Sequence, residues 1–151
     1  MEQYKGDIMN ILNIALNEMK AIKKSTPKGS INVTNNIKIT DLKETNMGTD
    51  KTRKAMSISF LYTSDYSPNI GDIELKGEVL VIEEVKQAEK IIEGWKKNKK
   101  LDQELAAGIL NNIMNKCSFE ALFLSRELGL PAPIQLPRIK QGQEPEPKKK
   151  K

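Results

Sequence analysis

A chain of 151 residues with 38% apolar, 30% charged and only seven aromatic residues holds material for one mainly aliphatic core. Its net charge of +5 is concentrated at one end: residues 140–151 carry five Lys and two Glu, while the other 139 carry 20 basic and 18 acidic residues, too balanced for a dedicated nucleic-acid-binding domain. There is no histidine and a single cysteine, which excludes His-based catalysis, His-containing metal sites and a Cys-rich zinc cluster within one chain.

The spacing of Ile8, Ile11, Leu12, Ala15, Leu16, Met19 and Ile22 predicts an amphipathic helix over residues 7–24, ended by Pro27 and Gly29. From residue 30 the apolar period changes to two. Ile31, Val33, Ile37 and Ile39, then Met56, Ile58, Phe60 and Tyr62, then Ile73, Leu75, Val79 and Val81 mark three strands within 30–82. Their short connections require an antiparallel meander. Leu61, Leu80 and Ile82 lie off the main stripes and make the second sheet face partly apolar.

Residues 83–128 read as two helices. The first begins with Glu83 and Glu84 and ends in Lys96, Lys97, Lys99 and Lys100, a polarity that complements the helix dipole. Val85, Ala88, Ile91, Ile92 and Trp95 form its apolar stripe. The second starts at the N-cap Asp102 and stops at Gly129, followed by Leu130 and Pro131. Ala121, Leu122, Phe123 and Leu124 make its end apolar all round, and such a helix demands burial on every side. A homo-oligomer is therefore expected, joined through Ile113, Cys117, Ala121 and Leu124. Residues 129–140 are a proline-bearing extended segment with Leu130, Ile134, Leu136 and Ile139 to bury. Residues 141–151 have the composition of a disordered, Lys-rich tail. The expectation is one α+β domain over 1–140 plus that tail.

Chemistry-bearing motifs are scarce. No phosphate-binding glycine spacing occurs, and the loop acids Asp41, Glu44, Asp50, Asp65 and Asp72 lack calcium-loop spacing. Cys117, on the apolar face of the long helix, reads as a small hydrophobe rather than a reactive thiol. The lysines at 96–100 and 148–151 read as a solvated helix end and a solubilising tail; the competing reading is a nucleic-acid- or ribosome-associated factor using both. The expectation is a non-enzymatic protein with no cofactor and no metal. A single cysteine, no leader-like segment and no run of 18 apolar residues point to the cytoplasm and to no membrane insertion.

The element order resembles that of the SecB family of export chaperones. Ser125-Arg126, Leu130-Pro131, Ile134, Leu136 and Pro137 are similar to that family's "S-R-G-x-F-P-x-L-x-L-x-P" stretch, and Gly71 to Glu83 is similar to the strand that feeds its helical region. The sequence departs in having Leu130 before the proline, two extra prolines, an inserted helix at 83–100, and a charged tail without the zinc-binding extension. The resemblance implies a SecB-like α+β protomer, a tetramer built as a dimer of dimers, and ATP-independent holding of unfolded or nascent polypeptide in apolar grooves. Leu61, Leu80, Ile82, Leu130, Ile134 and Leu136 are the expected polypeptide-binding residues.

Overall fold

The computed structural model describes residues 11–45 and 51–133. Six elements follow in order: β1 (Ile11–Lys23), β2 (Asn32–Thr45), β3 (Arg53–Ser67), β4 (Gly71–Glu84), α1 (Val85–Asn98) and α2 (Gln103–Leu128). The strands form one antiparallel sheet in the order β1-β4-β3-β2. The architecture is α+β, and the meander β2-β3-β4 stands where period-two alternation places it.

The expected N-terminal helix is corrected. From Ile11 onward the segment is a strand on β4, and residues 7–10 lie outside the described residues. The physical reason is a pair of bulges. Leu12 and Asn17 have no partner across the ladder, so the register skips a residue at each. Each bulge inserts one extra residue into the pleat. Positions on the helix side of the sheet therefore fall at Ile11, Ile14, Leu16, Met19 and Ala21, at intervals of three, two, three and two. A twice-bulged strand thus imitates helical spacing.

One sheet face carries the core. Met56, Ile58, Phe60, Tyr62 and Tyr66 of β3 and Ile73, Leu75, Val79 and Val81 of β4 are all buried there. α2 lies over β1 and β4, and α1 over β2, β3 and β4. α1 contributes Ala88, Ile91 and Trp95 to the core, and Lys54 reaches both Glu44 (3.3 Å) and Glu89 (3.4 Å) to tie it to the sheet. α2 begins as the sequence specifies: the Asp102 side chain accepts from the Leu105 amide, and Gly129 closes the helix at φ +70°.

The buried residues of α2 are Leu105, Ile109, Ile113, Cys117, Ala121 and Ser125, one every four residues. Since each residue turns a helix by about 100°, each four-residue step advances the buried line by about 40°, and the whole line winds through about 200°. Its two ends therefore bury nearly opposite sides.

Beyond Gly129 the chain crosses the helix side of the sheet. Leu130 is buried, the Tyr66 hydroxyl donates to the Pro131 carbonyl (2.7 Å), and Asn35 Nδ2 donates to the Pro133 carbonyl (2.8 Å). Buried Ser64 supports this crossing, bonded to Asn35 Oδ1 at 2.6 Å with its hydroxyl 3.0 Å from that of Tyr62. Burial pushes the Tyr66 phenol up to about 12, so it stays a donor through the neutral range.

β1 leaves no room for a side chain at Gly77 of β4. A Cβ there would run into the Ala15 carbonyl oxygen and come within 2.9 Å of Phe60 Cζ. Gly77→Ala is expected to destabilise the fold by about 2 kcal/mol or more, because backbone rather than a flexible side chain must give way. Denaturant unfolding checks this, and an unchanged midpoint would show that β1 is not held as described.

Candidate functional site

The two sheet faces differ sharply in chemistry. Opposite the helices, β4 presents Asp72, Glu74, Lys76, Glu78, Leu80 and Ile82, and β3 presents Ala55, Ser57, Ser59, Leu61, Thr63 and Asp65. Lys76 pairs there with Glu18 of β1 at 3.6 Å. Leu61 stands opposite Lys76 on one side and Lys38 on the other. Leu80 lies between Asn13 and Ser57, with Ile82 two residues on and opposite Ala55. Four residues along a strand span about 13 Å, so Leu61 is isolated from the Leu80–Ile82 pair by charged neighbours.

The expected polypeptide-binding residues accordingly do not share one surface. Leu61, Leu80 and Ile82 are half-buried on the open face, while Leu130 is buried on the helix side. Ile134 and Leu136 lie outside the described residues. Of the residues expected at a subunit interface, Ile113, Cys117 and Ala121 are wholly buried against the protomer's own sheet, leaving no surface for a partner, and only Leu124 is partly exposed.

Among the described residues, the exposed large apolar side chains fall in two other places. Leu12 (55% exposed), Met19 (43%) and Ile22 (41%) are on β1; Phe119 (74%) and Phe123 (53%) are on α2. β1 is an edge strand of 13 residues, so among the described residues one row of its backbone N–H and C=O groups has no ladder partner. Met19 belongs to the helix side and Ile22 to the open side, with Leu12 at a bulge. An extended chain laid along this edge would find an apolar neighbour on each face. The other edge, β2, carries Lys38, Asp41 and Lys43 and no exposed large apolar residue.

Phe119 and Phe123 follow from the winding of α2. Their mean direction is about 180° from that of Cys117, Ala121 and Ser125, so they point directly away from the sheet. Lys116, Glu120, Arg126 and Glu127 surround them in sequence. Read from sequence as burial on every side, this end of the helix is in fact buried on one side and bare on the other. The signal that finds these residues is the four-residue repeat of small and apolar side chains, which leaves both phenylalanines off the line.

The lysines at 96, 97, 99 and 100 are exposed at the end of α1, with Lys99 Nζ 5.7 Å from the Trp95 ring centroid. Lys148–Lys151 lie outside the described residues. A depression at the start of α1 is lined by Thr52, Arg53, Glu84, Val85 and Lys86. No three His, Cys, Asp or Glu side chains converge among the described residues, and no described helix is long and apolar enough to cross a membrane.

No family model and no curated protein matches the chain. Among solved structures it is similar to the Rv1957 SecB-like chaperone of Mycobacterium tuberculosis, solved in complex with a ChAD peptide from the Rv1956 HigA1 antitoxin. The likeness has 12% identity, spans 86% of this chain and 88% of that one, and has a TM-score of 0.49.

Burial pushes the Cys117 thiol up to about 12. It is therefore expected to ignore a bulky disulfide reagent at neutral pH in the folded protein and to react fully in denaturant. Fast reaction of the native protein would show that α2 is not seated on the sheet as described.

Proposed function

We propose that this chain is an ATP-independent holder of unfolded polypeptide in the cytoplasm, and that it takes up extended segments along the free edge of β1. The observation that carries this reading is a long backbone edge, unpartnered among the described residues, together with exposed Leu12, Met19 and Ile22 on that same strand. Main-chain pairing gives affinity without regard to client sequence, and apolar burial adds about 25 cal/mol per Å². Met19 suits such a role because an unbranched thioether adapts to varied partners. The resemblance of the Ser125–Pro137 stretch to the SecB family supports the same reading from the sequence.

Assembly belongs to the proposal. The back of α2 fits a second copy of this chain, packed antiparallel about a two-fold axis near residues 121–123. In that arrangement Phe119 and Phe123 bury against their counterparts, while Lys116 meets Glu127. Such a dimer is one half of the dimer of dimers that the resemblance implies. Exposed aromatics rimmed by charge are the ordinary composition of an interface centre.

Two measurements test this. Stoichiometric protein without nucleotide is expected to suppress aggregation of a urea-diluted client. Leu12→Asp combined with Ile22→Asp should lose most of that effect, while Leu61→Asp combined with Leu80→Asp should keep it. No suppression by the wild type, or RNA binding with a steep salt dependence in its place, would defeat the reading. For assembly, light scattering should give a multiple of the chain mass at micromolar concentration. Phe119→Asp combined with Phe123→Asp should halve it with little change in melting temperature, since both side chains are exposed in the protomer; a wild-type monomer would contradict the interface.

A further inference from the structure

The two faces of β1 differ along its free edge. The helix side carries Ile11, Ile14, Leu16, Met19 and Ala21 and reaches a charge only at Lys23, whereas the open side carries Asn13, Ala15, Glu18, Lys20 and Ile22. The bulge at Asn17 divides the strand and leaves Glu18–Lys23 as its longest stretch of unbroken register. Six residues of strand span about 20 Å, and over that length a partner strand alternates strictly between the two faces. Across the bulge the alternation falls out of phase.

Each charge on this stretch has a different setting. Glu18 pairs with Lys76 at 3.6 Å. Lys23 Nζ lies 3.6 Å from where a Cβ on Gly129 would stand, at the C-terminal end of α2, which suits a cation. Lys20 is exposed and makes no ion pair among the described residues, although Glu74 stands across from it on β4. A strand laid along the free edge would bring one of its residues about 5 Å from Lys20 but about 10 Å from Glu74, where salt screens most of the repulsion. Resting on the polypeptide-binding reading, we propose that this edge selects amphipathic client segments, with apolar residues opposite Met19 and Ala21 and a carboxylate between them, opposite Lys20. In a folded protein such a stretch is a strand with one buried face, so the clients recognised are unpaired strands of that kind. A uniformly apolar segment would instead lay apolar side chains against Glu18 and Lys20. Lys20 is thus a specificity-determining residue, while the backbone edge and its apolar neighbours supply the affinity.

The test uses the full chain and fluorescent peptides Thr-Val-Thr-Val-Xaa-Val-Thr-Val in which Xaa is Glu, Gln or Lys. Fluorescence anisotropy is expected to rank their affinities Glu, Gln, Lys, with about two- to five-fold between neighbours at low salt and less at high salt, the size of one exposed cross-strand charge pair. Lys20→Glu should invert the order and Lys20→Gln should flatten it. Lys96→Glu, which changes the net charge equally at the end of α1, should leave it unchanged. The Glu peptide regrouped as Val-Val-Val-Val-Glu-Thr-Thr-Thr should bind several-fold more weakly than the alternating one. An order that survives Lys20→Glu, an equal inversion by Lys96→Glu, or equal binding of the regrouped peptide would overturn the selectivity. In those cases the edge itself still stands if Leu12→Asp with Ile22→Asp abolishes binding. No binding of any peptide, while aggregation of a urea-diluted client is still suppressed, would overturn the selectivity as well; loss of both is failure of the polypeptide-binding reading itself.

Discussion

Everything in this protein depends on how one long helix seals one face of a four-stranded sheet. α2 buries every fourth residue from Leu105 to Ser125, so its contact line turns around the helix as it crosses β4 and β1. The helix side of β3 and β4 is thereby closed over Phe60, Tyr62 and Tyr66, while the helix ends with its back bare. The position of Phe119 and Phe123 is a consequence of this geometry. So is the wholly inward position of Ile113, Cys117 and Ala121.

The parts of the fold legible in the sequence were those governed by local rules. Asp102 and Gly129 cap α2 because a carboxylate can reach a free amide and glycine accepts positive φ. The three strands of the meander alternate because only one face of each is buried. What misled was β1, whose two bulges convert a period of two into intervals of three and two. A bulge is set by pairing with β4, and no local pattern in residues 11–23 reveals the partner. The site was less legible for a related reason. Off-stripe residues such as Leu61 look available from sequence, yet cross-strand neighbours decide whether they form a surface, and here those neighbours are Lys38 and Lys76.

The two edges of the sheet divide the functional reading. Among the described residues, β1 leaves one backbone edge unpaired beside exposed Leu12, Met19 and Ile22, whereas β2 carries charge along its edge and holds the Pro133 carbonyl through Asn35. Long apolar edges invite pairing with other chains, and proteins usually blunt them with charge, proline or cover. β1 carries Glu18 and Lys20 between apolar Leu12 and Ile22 near its two ends, and Lys23 at its last position, the kind of charge that blunts an edge in part. A holder of unfolded chains requires that balance between solubility and an accessible template.

Residue-resolved hydrogen exchange of the β1 amides, with and without a saturating unfolded client, tests this account most directly. Amides of Ile11–Lys23 that point away from β4 should slow at least tenfold when client is bound, while those already bonded to β4 should change little. Client binding that leaves every β1 amide unchanged, with protection confined to Leu80, Ile82 and their neighbours on the open face, would contradict it.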